Sequence, residues 1–507
     1  MALDRRTFLR SLGLSGLSVG LGIPARATQP SPITSGVKDL SSIKATGVVR
    51  SNGKGIAGVS VTDGINVVVT DKRGNYSLTT NTTAEFIYIS TPKGYAFTNS
   101  HGVTKFYERI IVTAGSFRAD FELTKLDRDD RLHTFIVWAD PQIQTPEDAV
   151  LLKTVSAPDT KQLVTTLGPD ALVHGFGCGD LVWDRFDLFP DYKEAFGQVG
   201  IPFFQVIGNH DMDLDSRTDD YSARTFKDLF GPTYYSFNRG DIHYVVLDDV
   251  FFLGTSKKYI GYIAERQFAW LEQDLAQVKP GSTVVVSVHI PVNTGVKRRN
   301  PLEGEPIGGV VSNRRELYRI LKPYKAHIMS GHTHFNEKVL EGDNVIEHVH
   351  GAVCGAWWTG PICYDGTPNG YGVYEVDGSD IKWYHKAVGH DRQHQFRIYP
   401  MGSDKQKPEY FSVNVWNWDP AWKVTWFENG EPRGEMYRDV AYDPLSVELH
   451  LGIQKPFIRS WVEPMLTDHM FFAKPSSPTS IITIHVTDRF GTVYKEEVEL
   501  ASLTLKV

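Results

Sequence analysis

The chain has 507 residues, of which 41% are hydrophobic, 12% aromatic and 22% charged. A single core rarely exceeds about 250–300 residues, so several packed domains are expected and general disorder is excluded. The formal net charge is −7, and loss of residues 1–27, with four arginines and one aspartate, brings it to about −10. Bulk charge therefore excludes attraction of a nucleic-acid polymer, and any anionic ligand must be held by local groups.

In chain order, Arg5-Arg6-Thr7-Phe8-Leu9-Arg10 precedes an uncharged stretch, Ser11 to Ala25, and then a small-x-small site at Ala25-Arg26-Ala27. This resembles a twin-arginine export signal, with Asp4 where such signals often carry Ser. It implies passage through the twin-arginine export machinery and a periplasmic or secreted protein. The apolar part falls short of the roughly 20 residues of a membrane span, and no later segment approaches one. Residues 28–42 read as a linker rich in Ser, Pro and Thr.

From 43 to 126 short alternating runs are separated by turns: Thr46–Val49, Gly58–Gly64, Thr70–Leu78 and Phe86–Ile89. Gly and Asp stand where hairpins need positive φ, which predicts an all-β sandwich. The run Gly58 to Leu78 resembles the transthyretin-like accessory domains of secreted hydrolases.

Past the charged segment Asp127–Arg131 the pattern changes. Strand-like runs (Phe135–Ala139, Ala171–Gly177, Ile201–Ile207, His243–Leu247, Thr283–Val288, Ala326–Met329) alternate with helical stretches such as Ala264–Val278 and Asn313–Leu321. That predicts an α/β domain over 131–390. Residues 391–507 turn β-rich again, with strands expected at Phe411–Trp416, Trp422–Phe427, Ser446–Leu449 and Ile481–Val486. The expected architecture is a central α/β domain with all-β sandwich domains at both ends.

Five clusters of Asp, Asn and His follow strand-like runs in the α/β region. They are Asp140-Pro141-Gln142, Gly179-Asp180 with Asp184, Gly208-Asn209-His210-Asp211, His289, and Gly331-His332-Thr333-His334. Side chains at strand ends converge on one rigid site, and these supply enough oxygen and nitrogen ligands for two divalent ions about 3.5–4 Å apart. In this order the clusters resemble the calcineurin-like metallophosphoesterase family over about residues 133–385. The resemblance implies two facing sheets with helices outside, and hydrolysis of a phosphomonoester or phosphodiester by a hydroxide shared between two metals. Carried over, Asp140, Asp180 and His334 bind one ion; Asp180, Asn209, His289 and His332 bind the second. His210 faces the leaving group and Asp211 orients it; Asp184 fixes the loop. Mn, Fe and Zn all suit such ligands. The expected substrate is a phosphate-ester small molecule or a lipid or sugar phosphate, with nucleotide-like, sugar-phosphate and lipid-linked esters all open.

The family usually has Asp-x-His in its first cluster, where this chain has Gln142. Gln142 then either leaves its metal with weaker ligands, binds through water, or touches substrate. It is also the single feature favouring a second reading, a degenerate phosphoesterase that binds a glycan or partner. Arg298 and Arg299 are candidates to pair with a substrate anion or else a solvated basic loop. Trp357 and Trp358 either line the pocket mouth or pack in a core. His174, His243, His327, His348 and His350 lie outside the pattern as packing or exposed residues, the last two nearest the site in sequence. Of three cysteines, Cys178 reads as buried, while Cys354 and Cys363 either close a short disulfide loop or stay unpaired.

Overall fold

The computed structural model describes residues 42–111, 115–301, 304–354, 360–451, 459 and 461–505. The expected signal at 1–27, and Trp357 and Trp358, lie outside the described residues. Among those described, no helix is long and apolar enough to cross a membrane.

The centre is two sheets packed face to face. One is 7-stranded, in the order Asp380–Ala387, Gly370–Asp377, Leu132–Trp138, Val173–Cys178, Phe203–Val206, Val103–Thr104, Asn99–Ser100. The other is 6-stranded: Tyr235–Arg239, Ile242–Val246, Thr283–Ser287, Lys325–Ser330, Val345–Val349, Glu337–Glu341. The inner strands of both sheets run parallel. Phe135 to Trp138 and Val284 to Val286 are fully buried, as expected of parallel strands covered on both faces.

Aromatic side chains fill the space between the sheets. Phe204 stacks on Phe237 at 3.7 Å, Phe237 on Tyr244 at 4.9 Å, and Phe135 on Tyr374 at 4.5 Å. Helices Ala157–Thr166 and Phe189–Val199 cover the outer face of the 7-stranded sheet, and Glu265–Leu275 with Arg314–Leu321 covers the other.

The N-terminal segment forms two small sheets around Ile43–Ser51 and Ser60–Thr62. Its hairpin, Asn99–Ser100 with Val103–Thr104, leaves them to complete the edge of the central sheet beside Phe203. The C-terminal segment builds two 4-stranded sheets, one centred on Phe411–Asn414 and Leu466–Ala473, the other on Lys423–Glu428 and Ile481–Thr487. Trp422, Trp426 and Tyr494 lie in the core between them.

One expected strand is a helix. Ser446–Leu449 lies within the helix Pro444–Leu451. The Asp443 carboxylate accepts the Ser446 N–H at 2.8 Å, and Pro444 occupies the first turn, where its missing N–H costs nothing. Of the two readings left open for Cys354 and Cys363, the unpaired one holds: Cys178, Cys354 and Cys363 are all free and buried. The Cys354 thiol donates instead to the Pro141 carbonyl at 3.3 Å.

Phe204 is 2% exposed and stacks within the inter-sheet core. Phe204→Ala is expected to cost about 3–5 kcal/mol, read as a lower urea midpoint for the central domain.

Candidate metal centre

Both sheets end on one spot. Asp140, Asp180 and Asn209 follow strands of the 7-stranded sheet, while His289, His332 and His334 follow strands of the 6-stranded one. Ligand sites in α/β sheets favour the carboxyl ends of strands. The two sheet ends are tied by a backbone bond from Val353 N–H to the Ala139 carbonyl at 2.9 Å, and the two histidine loops of the 6-stranded sheet by one from Gly331 N–H to the His289 carbonyl at 3.0 Å.

The backbone is strained there. Of the eleven described non-glycine residues at positive φ, six are Asp140, Gln142, Asp180, Asp184, His332 and His334, at 44° to 66°. Each costs about 1–2 kcal/mol and persists only where the surroundings enforce it. Gly208 explains part of that enforcement. A Cβ there would meet the Asp180 backbone N at 2.0 Å and its Oδ1 at 2.3 Å, so only glycine lets Asp180 seat.

Two groups of ligand atoms converge, each within 4.8 Å: Asp180, His289 and His332, and Asp140, Asp180 and His334. Asp180 belongs to both. His289 Nδ1 faces the Cys178 carbonyl at 2.9 Å and so carries the proton, which leaves Nε2 for a cation. Around that Nε2 lie Asp180 Oδ1, Asn209 Oδ1 and His332 Nδ1, each at 3.2 Å. Burial, with His289 beside it, pushes the His332 imidazole down to about 3, so it is neutral and can donate a lone pair. His334 Nε2 stands 3.2 Å from Asp140 Oδ1.

The donors fit two cations. Asp140, Asp180, Asp211 and Asp249 are all buried, and among the described residues none pairs with Lys or Arg. Burying carboxylates without positive charge is costly, and divalent ions supply the missing charge. Burial pushes Asp249 up to about 7, and its Oδ2 has no hydrogen-bond partner among the described residues. Gln142 Nε2 donates to Asp180 Oδ2 at 2.8 Å, while its Oε1 is buried without a hydrogen-bond partner. An orphaned buried carbonyl beside a shared carboxylate is what a nearby cation would satisfy.

His210 sits at the edge. Its backbone N–H donates to Asp180 Oδ1 at 2.9 Å, and its Nδ1 meets Asp184 Oδ1 at 2.9 Å. Burial opposes its protonation, but the Asp180 and Asp184 charges outweigh that and raise its pKa above the usual value. Lys257 Nζ holds the other Asp184 oxygen at 2.6 Å. Asp211, expected to orient His210, does something else. Its carboxylate accepts the backbone N–H groups of Leu181, Val182 and Gly208 at 2.9 to 3.1 Å, fixing the two metal-binding loops to each other. Asp184 orients the imidazole.

Arg298 and Arg299 are spent elsewhere. Arg298 donates to Asp468 at 2.7 Å and to Glu337 at 3.1 Å, and buried Arg299 lies 2.8 Å from Glu337. They neutralise two buried carboxylates, one of them on the C-terminal segment, and a substrate anion would have to displace both. His174, His243, His327, His348 and His350 pack inside: His350 Nε2, for one, meets the Tyr374 hydroxyl at 2.7 Å. Sequence reasoning missed Asp249, Lys257 and the C-terminal residues Arg459 and Trp461. Asp249 ends a strand run as the ligands do, which was a usable signal; Lys257 and Trp461 carry none.

The family descriptions agree with this geometry. Calcineurin-like phosphoesterase matches residues 111–336, its N terminal description 43–126 and its C terminal description 347–494. The chain belongs to the calcineurin-like phosphoesterases. That family uses a dinuclear centre, which the two ligand groups sharing Asp180 fit. Purple acid phosphatase 15 of Arabidopsis thaliana is 31% identical over 118 residues, which are 21% of this chain and 20% of that protein. The chain thus spans about a fifth of that relative's length. A dimetal phosphatase from Danio rerio aligns over 51% of this chain and 97% of its own, at 15% identity and TM-score 0.35. Purple acid phosphatase PPD1 from yellow lupin aligns over 50% and 51%, at 13% identity and TM-score 0.36.

Metal content per chain after dialysis tests the ligand groups. Asp180→Asn is expected to lose both ions, and His334→Ala only one, by atomic emission. Asp184→Asn is expected to keep both ions yet lower kcat about 100-fold, because the imidazole loses its orienting partner.

Proposed function

We propose that the protein is an exported phosphoesterase that hydrolyses a phosphate ester in the periplasm or outside the cell, with His210 on the leaving-group side. The observation that carries this is the adjacency of two ligand groups sharing Asp180 to a histidine that ligates neither and is aimed by Asp184. Divalent ions bound by these residues supply Lewis acidity toward the phosphoryl oxygens and acidify a water for attack.

The chain's own groups do the rest. The Asp184 carboxylate holds the proton on His210 Nδ1, which leaves Nε2 as the ring atom that meets the ester. As water adds to phosphorus and the ester P–O bond breaks, the departing oxygen takes the Nε2 proton and leaves as the alcohol. The attacking water gives its proton to solvent, and His210 is reprotonated from solvent. Asp211 keeps Leu181, Val182 and Gly208 in register, so the ligands do not shift as charge moves. Gln142 supports Asp180 by a hydrogen bond, which makes it a partner of the shared carboxylate in this reading. The intact ligand set favours an enzyme over the degenerate binding protein. The export address rests on Arg5-Arg6 and the cleavage-like Ala25-Arg26-Ala27 alone.

The test is turnover of paired aryl phosphate monoesters and diesters, before and after chelation and on Mn²⁺ re-addition. Chelator-sensitive turnover restored by metal is expected, with the preferred ester naming the substrate class. His210→Ala should lower kcat about 100- to 1,000-fold with metal content unchanged. Turnover insensitive to chelation would overturn the reading. Signal cleavage is checked by N-terminal sequencing of protein recovered from the periplasm, expected to begin at Thr28.

A further inference from the structure

The rim on the His210 side is built of tryptophan. Trp183 precedes Asp184, and its ring centroid is 5.2 Å from that of His210. Trp461, from the C-terminal segment, meets the same indole at 5.6 Å with the ring planes at 86°. It is 55% exposed, an unusual position for so large an apolar ring.

Buried anchors hold Trp461 on both sides in sequence. Arg459 is buried, and its guanidinium donates to both Asp148 oxygens at 3.2 and 2.9 Å. Asp148 also accepts the N–H groups of Gln144 and Thr145, so the C-terminal segment is fastened to the loop that carries Gln142. Val462 is buried in a small cluster with Ala352 and Cys363, against which Trp183 and Tyr364 pack. A ring presented to solvent between two fixed points has already lost its freedom before a ligand arrives, which favours binding.

The geometry points to a leaving-group subsite formed by Trp183 and Trp461, and so to an ester whose leaving group carries a flat aromatic ring. This rests on the reading of His210 as the leaving-group side. Two indoles at right angles offer one face and one edge, the arrangement in which an aromatic guest gains both stacking and edge-to-face contact. The C-terminal domain thereby contributes to substrate choice.

The test compares benzyl and butyl phosphate, whose leaving alcohols differ little in chemistry, with the full-length metal-loaded protein. Trp461→Ala is expected to lower the benzyl-to-butyl ratio of kcat/KM about tenfold, mainly through KM, and Trp461→Phe to retain most of the ratio. Calorimetric affinities for benzylphosphonate and butylphosphonate should show the same change of ratio. That arm stays readable if no ester is turned over, so failure of the hydrolytic reading and failure of the subsite are separate results. An equal loss toward both compounds would reduce Trp461 to structural support and overturn the subsite, as would an unchanged ratio.

Discussion

The Asp180 carboxylate is the constraint on which the site depends. It is buried at the meeting of two sheets and reached by Gln142 Nε2, His210 N–H and His289 Nε2 at once. Burial alone would drive such a group neutral, but the imidazoles around it, His289 first and then His210, outweigh it and hold the pKa below the usual carboxylate value. The left-handed backbone at Asp140, Asp180, His332 and His334 follows from aiming several strand-end side chains at that carboxylate. The aromatic layer between the sheets provides the rigidity that keeps four strained turns from relaxing.

The terminal domains bear on the same point from outside. The C-terminal segment reaches the catalytic loops through buried polar pairs as well as apolar packing. Asp365 accepts the Asn336 N–H, two residues beyond His334, and meets His469 Nε2 at 3.2 Å, while Asn414 donates to the Asp365 carbonyl. Arg298, Glu337 and Asp468 form a second tie and Arg459 with Asp148 a third. Buried pairs of this kind add little net stability but fix geometry, since a shifted partner leaves an uncompensated charge.

Much of this was legible in the sequence, because its signals are local. Apolar runs of four to six residues marked most central strands, and the motif order placed Asp140, Asp180, Asn209, His289, His332 and His334 before any contact was known. What escaped was long-range or masked by composition. Asp211 and Asp184 are both acidic neighbours of His210, and only the fold shows that the first caps backbone amides while the second meets the ring. Arg298 and Arg299 look like an anion site until Glu337 and Asp468 appear beside them. Ser446–Leu449 reads as a strand by its Val and Leu, yet Asp443-Pro444 just before it is a helix-start signal that periodicity overlooks.

The small hairpin at 99–104 has a bearing on how the protein comes into being. It completes one edge of the central sheet, Asp380–Ala387 forms the other, and parallel pairs such as Thr134 with Val173 join strands far apart in the chain. Distant parallel pairings form slowly and only after all partners exist. A growing chain must therefore reach residue 387 before the sheet can close, and residue 469 before the loop beyond His334 is tied. The loops that carry the ligand residues are fixed late in the order of assembly, after the distant strands have paired.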